Sequence, residues 1–529
     1  MADLNFGSKL GNYLRAVYPL LWVATHEEQR IVQEIYDTFK TSTTLEIYEW
    51  DVVNGMQVRK NNQVQKAAGE WSFNAAIPGA VKLGTKSDNK IVLVIFKDFH
   101  PYIDSPKNVR ELRNAINELK AKGMCFLFVS PVIKIPVELE KDFQLIDFRL
   151  PDEEALRRKL DLTVRAAQRQ DTATSKLTID PDIAVCAVEA AKGLTSSEAD
   201  NAFALGVVEH GAFDRKFVNT VFQEKVQQVK KAGLLTYLEP DVTFDQIGGL
   251  EPLKQWINTR RHAYSQQARD YGLPYPRGIL LCGIPGVGKT LLAKAASSAL
   301  GGFPLFQLDV GALFGKHVGE SEENFRRMIQ LIDGVGRCIL FIDEVEKSLN
   351  KAAVSGQGDS GTSSRSFATL LSWLSDHKSP VFVIATSNDH TKLPPELVRK
   401  GRFDELWWID LPTENERSAI FTVLFKKYKR DFDKLGAKAK LLAATQDFTG
   451  AEIEQAIVGA MFNAFGAGRE LTPEDVVAEA AAITPFAKMS AKELAEMREK
   501  AEGRLRPVSE RSLVTSTITE PTRKMTGKL

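Results

Sequence analysis

Short, continuous apolar runs alternate along most of this chain with longer stretches whose apolar residues recur every three or four positions. In the first third the runs are residues 18–25 (YPLLWVAT), 44–53 (TLEIYEWDVV), 91–99 (IVLVIFKDF) and 124–130 (MCFLFVS). EEQRIVQEIYDTF, after the first run, and NVRELRNAINELKAKG, between the third and fourth, have helical spacing, and Gly123 predicts where the second helix stops. Continuous apolar strands alternating with helices predict a parallel sheet covered on both faces. Residues 71–88 are mixed and predict nothing. Residues 241–412 repeat the alternation more strongly, with GILLC, FPLFQLDV, CILFIDEV, VFVIATSN and LWWIDL as strands, and residues 413–485 are helical in pattern. From about Glu502 the chain turns polar, rich in Ser and Thr, which predicts a tail that is disordered or docks on a partner.

The two halves carry a weak internal repeat. Residues 124–160 and 381–421 both read strand, proline and Glu-Leu, a second apolar run, Leu-Pro-x-Glu, then helix. Downstream, GLTSSEADNAFALGVV (193–208) parallels FTGAEIEQAIVGAM (448–461). The halves differ after their opening strands. The second has residues 283–290, GIPGVGKT, with the spacing G-x-x-x-x-G-K-[ST]. The first has THEEQR, and its third strand ends in Lys-Asp-Phe (97–99) rather than Asp-Glu. A loop opening with two glutamates repels phosphate. The expectation is therefore that residues 1–235 form a degenerate nucleotide-binding fold without nucleotide. The bland alternative is two unrelated α/β domains that share a pattern.

Composition is that of an ordinary globular protein, 43% apolar and 26% charged over 529 residues, enough for two or more domains. A net charge of +1 leaves no overall field that would select nucleic acid or an anionic membrane. Clusters such as FKKYKR (425–430) read first as a solvated helix face. Cys125, Cys186, Cys282 and Cys338 are isolated, without metal-ligand spacing, which suggests a reducing compartment. The N-terminus lacks a signal-peptide pattern and no apolar run reaches membrane-spanning length, so the cytoplasm or an organelle stroma is expected, without membrane insertion.

The glycine loop carries the chemistry. Glycines let successive N–H groups face an anion, and the following helix adds the positive end of its dipole. Lys289 supplies a charge for the outer phosphates, and Thr290 a hydroxyl for Mg²⁺. About 0.02 matches to this spacing are expected by chance in such a chain. Fifty-odd residues on, CILFIDEVEKS places Asp343 at a strand end for the metal and Glu344 to orient an attacking water. Asn388, at the end of VFVIATSN, can hold that water or touch the last phosphate; a turn-forming Asn is the alternative. In LPPELVRKGRFDELWW, Arg399 and Arg402 can neutralise charge on a transferred phosphoryl group, in a neighbour's site as readily as in their own.

In TFDQIGGLEPLK, GIPGVGKT, GESEENFRRM, CILFIDEVE, VIATSND, LPPELVRKGRFDE and FTGAEIEQA, taken in order over 241–465, the chain resembles the AAA+ ATPases, and within them the AAA subgroup. The N-terminal YPLLWVATHEEQR and the C-terminal ITPFAKMSAKELAEMREKAEGRLRPVS make it similar, more narrowly, to an AAA-domain family encoded in cyanobacterial and algal plastid genomes. The resemblance implies a P-loop α/β core at 236–412 with a doubly wound parallel sheet, a helical lid at 413–500 and a flexible tail at 501–529, preceded by a degenerate AAA-like domain at 1–235. It implies an ATPase using ATP and Mg²⁺ and assembling as a hexamer. Gly283, Pro285, Gly286, Val287, Gly288, Lys289, Thr290 and Leu291 would hold the nucleotide. Ile247, Gly248, Gly450 and Ala451 would enclose its base. Thr290 and Asp343 would serve the metal, with Glu344 catalytic, Asn388 the sensor, and Arg399 and Arg402 fingers in trans.

The pore-loop position, aromatic then aliphatic in the family, reads Lys316-His317-Val318 here, which grips a polypeptide loosely or is a helix-capping loop. Leu424 stands where many relatives have a histidine near the nucleotide. The Gly/Ser-rich residues 352–364 are expected to be a mobile second pore loop or an inert linker. Three functions compete: an ATP-driven remodeller of a protein substrate, an ATP-controlled assembly switch that binds a partner through its N-terminal domain, and a nucleic-acid motor. The last ranks lowest for want of a basic, aromatic-interleaved groove.

Overall fold

The computed structural model describes residues 5–60, 63–84, 90–170, 178–231, 233–313, 320–347 and 360–509. The chain divides into two compact units, residues 1–222 and 223–529.

The N-terminal unit is built on β1 (Leu20–Ala24), β2 (Leu45–Asp51), β3 (Gly55–Lys60), β4 (Gln63–Lys66), β5 (Ile91–Lys97), β6 (Met124–Ser130) and β7 (Phe143–Leu145), in the sheet order β4-β3-β2-β5-β6-β1-β7. Strands β2, β5, β6, β1 and β7 are parallel; β3 and β4 extend the edge as an antiparallel hairpin. Inward faces of β1, β5 and β6 supply Trp22, Phe96, Phe126 and Phe128, which with Trp50 and Phe99 form a fully buried aromatic core. Helix Glu28–Thr38 follows β1, and helix Pro106–Lys122 stops at Gly123, whose φ of 65° is left-handed as a C-cap requires. A second core within the unit gathers Leu156, Val188, Phe203 and Phe217 from four helices. One of these, Ser196–His210, starts at a capping box between Thr195 and Glu198.

The C-terminal unit holds β8 (Leu235–Leu238), β9 (Gly278–Gly283), β10 (Leu305–Leu308), β11 (Cys338–Ile342), β12 (Val381–Ser387), β13 (Glu405–Ile409) and β14 (Arg506–Pro507), ordered β14-β13-β9-β12-β11-β10-β8, with only β8 antiparallel. Numbered by their order in the chain, its five central strands lie 2-3-4-1-5, which is also the order of β2-β5-β6-β1-β7. The repeat read from sequence is therefore a repeat of topology. Helices Glu414–Lys427, Lys438–Ala444, Gly450–Gly466 and Pro473–Ala482 pack a separate core around Phe421, Phe425, Ile453, Ile457 and Val476. Three of them begin at capping boxes, at Thr413, Thr449 and Thr472.

The expected tail is structured over its first residues. Helix Ala491–Ala501 leads into β14, which pairs with β13 through Trp407 and Trp408. Val508 N–H donates to Trp408 O at 3.1 Å, and Val508 is 1% exposed in the main core. The polar composition concealed a two-residue edge strand flanked by Leu505 and Val508, both of them buried. Residues 510–529 lie outside the described residues. So do Lys316, His317 and Val318, and the first part of the Gly/Ser-rich stretch; its residues 360–364 open the helix Ser360–Asp376.

Val508→Asp buries a charge against Trp407 and Trp408. It is expected to cost the C-terminal unit about 3 kcal/mol or more, seen as an earlier unfolding transition of that unit in urea.

Candidate functional site

Three adjacent parallel strands, β9, β12 and β11, end side by side, and the residues after their C-terminal ends meet. Open α/β sheets bind ligands at such an edge. From β9 the chain enters the glycine loop. Gly286 and Gly288 take φ of 81° and 88°, and Gly288 is the N-cap of helix Lys289–Ala299. A Cβ on Gly286 would also stand 3.1 Å from Thr449 Oγ1 and 3.2 Å from Ala451 Cβ, so a side chain there would meet the lid as well as strain the backbone.

Lys289 is 7% exposed. Its Nζ donates to Gly283 O and Ile284 O, both at 2.9 Å. Burial pushes its ammonium down to about 8, against the opposing pull of Asp343, Glu344 and Glu346. Two carbonyls for three N–H donors leave positive charge under-compensated at the mouth of the loop, which suits an anion. Thr290 and Leu291, the next residues of the helix, are exposed, as are Pro285 and Gly286; Val287 is half-buried.

From β11 come two carboxylates. Thr386, in β12, links them to the neighbouring strand: its Oγ1 donates to Asp343 Oδ1 at 2.5 Å and accepts from Glu344 N at 3.0 Å. Glu344 has φ of 49°, an unusual backbone for a residue with a Cβ and of the kind found at functional sites. Asn388 Nδ2 donates to Glu344 Oε1 at 2.8 Å, and Lys347 Nζ stands 2.7 Å from the same oxygen. Glu346, 4% exposed, accepts from Asn388 N at 3.0 Å and so holds the Asn388 backbone in place. Lys289, Asp343, Glu344 and Asn388 are thus brought together. Thr386, Glu346 and Lys347 were not anticipated; each acts through its contact with Asp343, Asn388 or Glu344 and has no sequence pattern of its own.

A cleft opens beside the loop, lined among others by Gly248, Val287, Ile409, Glu416, Ile420 and Gly450. A Cβ on Gly248 would lie 2.4 Å from Ile420 N, so only glycine lets helix Glu414–Lys427 pass this close. Ala451 N–H donates to Gly286 O at 3.1 Å, tying the lid helix to the glycine loop. Ile247, 7% exposed, packs in the core behind the cleft, as part of the cluster around Leu253 and Leu281. Leu424 is buried in the lid core, and the lid meets the cleft through Glu416 and Ile420 instead. Asp410 and Ser509 also line it. Asp410 is gripped by Arg498 through two bonds of 2.8 and 2.7 Å, so the C-terminal segment forms part of the cleft wall. Arg399 is exposed, between the buried Leu397 and Phe403; Arg402 is half-buried, and its Nη1 is buried with no hydrogen-bond partner among the described residues.

Residues 279–411 match the family model of the ATPase family associated with various cellular activities (AAA). Residues 6–148 and 154–232 match the N-terminal and second domains of SpoVK-like AAA ATPases. The chain is 33% identical to the uncharacterized AAA domain-containing protein ycf46 of Trieres chinensis, over 96% of this chain and 99% of that one. It is 33% identical to the protein of the same name from Guillardia theta, over 94% and 95%. Over 44% of its length it is 32% identical to the cell division cycle protein 48 homolog of Archaeoglobus fulgidus, of which it covers 32%.

The depressed Lys289 ammonium has a measurable signature without any ligand. Its unfolded value is near 10.5 and its folded value about 8. The unfolded chain therefore holds more protons between those values, and stability rises with pH across that window. Relative to Lys289→Met, wild type is expected to gain up to roughly 3 kcal/mol between pH 8 and 10.5, read from urea midpoints of the C-terminal unit.

Proposed function

The chain belongs to the AAA ATPase family, and on that premise we propose that it hydrolyses ATP at residues 283–290 and works as a ring-forming, hexameric remodeller of a protein substrate. One observation carries the ATPase reading. A buried, under-compensated ammonium, an Asp held by Thr386 and a Glu held by Asn388 converge where three parallel strands end. That set fits phosphoryl transfer, which needs positioning and charge stabilisation more than covalent chemistry.

In this reading the amides of residues 285–290 and Lys289 receive the β- and γ-phosphates, and Gly248, Gly450 and their neighbours enclose the base. Thr290 and Asp343 are the residues that would hold Mg²⁺, which when bound supplies the positive charge that neutralises the outer phosphate oxygens. Glu344 accepts the proton of the attacking water, and Asn388 fixes its carboxylate. Lys347 must release Glu344 Oε1 for this, so the pair is a resting state of the base. Arg399, exposed, and Arg402, half-buried, are the fingers we assign to a neighbour's site. Grip on the protein substrate is assigned to Lys316, His317 and Val318. The compartment is the cytoplasm or an organelle stroma; among the described residues no helix is long and apolar enough to cross a membrane.

Glu344→Gln is expected to bind ATP while turnover falls by about 10²-fold or more, and Lys289→Ala to lose binding. With ATP, Glu344→Gln should rise about sixfold in mass; a species that stays monomeric and whose parent still turns over ATP would remove the ring. Arg399→Ala should keep ATP binding and lose about 10³-fold in turnover, and wild-type turnover in that variant would remove the trans finger.

A further inference from the structure

The N-terminal unit repeats the strand order of the ATPase core, so its corresponding positions can be compared one by one. Between β9 and helix Lys289–Ala299 the ATPase core has five residues, 284–288; between β1 and helix Glu28–Thr38 there are three, 25–27. Three residues are too few to wrap a phosphate, and none of them has a positive φ. At two of these positions the charge is reversed, whereas Asp98, just past β5, keeps both the acid and the left-handed backbone of Glu344, with φ of 48° against 49°. Where Lys289 opens the helix of the ATPase core, Glu28 opens this one. Where the third parallel strand of the core runs into Asp343, its counterpart β5 ends in Lys97, and Lys97 pairs with Glu28 at 3.3 Å and with Glu49 at 2.7 Å.

The N-cap position shows what replaces the missing ligand. Glu27 occupies the place of Gly288, and it is 8% exposed. Its side chain makes no N-cap bond to its own helix. Instead Oε1 accepts from Ser196 N at 2.5 Å, and Oε2 pairs with Arg30 at 2.8 Å. Ser196 is the first residue of the helix capped by Thr195, as Gly450 is the first residue of the lid helix capped by Thr449. Arg30 is anchored in turn, its guanidinium 4.1 Å over the Phe148 ring and donating to Arg149 O. Burial pushes the Glu27 carboxyl up, while the Ser196 N–H, Arg30 and Lys159 favour its charge and Glu198 opposes it. A carboxylate buried at that cost is held by what it bridges.

We propose that the N-terminal unit is a permanently closed, nucleotide-independent copy of the ATPase module, in which the Glu27 carboxylate bridges the first helix to the lid-equivalent helix Ser196–His210. Where the glycine loop of the C-terminal unit offers no anion of its own, here the anion is part of the chain. The unit then keeps one state while the other module of the chain changes, and ATP does not act on it directly.

Hydrogen exchange on the full-length chain tests this at residues 193–200. Glu27→Ala is expected to speed exchange there roughly 10- to 100-fold, and sodium formate, a carboxylate small enough for the vacated space, should restore protection. Added ATP should change exchange at residues 449–453 of wild type and leave 193–200 unchanged. Wild-type protection in Glu27→Ala, loss of protection that formate does not reverse, or a direct ATP response at 193–200 would each overturn the proposal. Should Glu27→Ala fail to fold, Glu27→Gln is read in its place: it keeps an acceptor for Ser196 N–H but not the pair with Arg30. Faster exchange in it supports the bridge and wild-type exchange overturns it. None of these readings requires ATP turnover, so they stand apart from the fate of the ATPase assignment.

Discussion

A positive charge kept out of water is the constraint around which the C-terminal unit is arranged. Lys289 is buried, and its ammonium is pushed down to about 8 because two carbonyls and a few nearby acids do not replace bulk solvent. Such a group is costly unless an anion completes its shell. The surrounding architecture supplies a place for one and little else. The loop curves through two left-handed glycines, and the carboxylates opposite are tied to Thr386 and Asn388. The same strand order that brings β12 between β9 and β11 sets those ties, since Thr386 and Asn388 come from the middle strand and its end.

What was legible in the sequence follows from how locally each feature is encoded. The glycine loop, the strand ending in Asp343 and the Asn388 position are contiguous stretches whose order along the chain points to one site, and the structure brings them together. The parallel strands were legible because strands buried on both faces read as unbroken apolar runs, as β5 and β6 do. The hairpin β3–β4 was not, because its residues are mostly polar and only Met56 is fully buried. The strand β14 was hidden for a similar reason: it is two residues long, and its order comes from partners about a hundred residues away. Glu346 and Arg498 were invisible because each acts through a single distant contact, with Asn388 N and Asp410.

The C-terminal segment changes how the cleft is understood. Arg498 grips Asp410 on the cleft wall, Ser509 lines the same cleft, and Phe486 N–H donates to Glu452 Oε1 at 2.6 Å in the capping box of the lid helix. One stretch of chain thus touches the sheet edge, the cleft and the lid. Movement of the lid against the sheet would have to break or carry these bonds, so the segment adds resistance to a motion that the four lid helices alone would leave to a single connection.

The two units then illustrate opposite solutions to one problem. A helix start and a lid helix must be held together across a gap lined with unsatisfied N–H groups. In the C-terminal unit the gap is lined by glycine and a lysine and is crossed by the Ala451 N–H bond to Gly286 O, and no side chain of the loop supplies an anion. In the N-terminal unit a shorter loop and the Glu27 carboxylate fill it from within, and the Lys97–Glu28 pair reverses the polarity around it. Reversal matters more than the loss of the glycines. A loop that had merely lost its glycines would leave a weak phosphate site, whereas acids at both Glu27 and Glu28 repel phosphate, and Glu27 accepts the Ser196 N–H at the start of the facing helix. In the proposed reading the N-terminal half is closed by its own carboxylate, on the same strand order and with the capped helix Ser196–His210 in place to receive it.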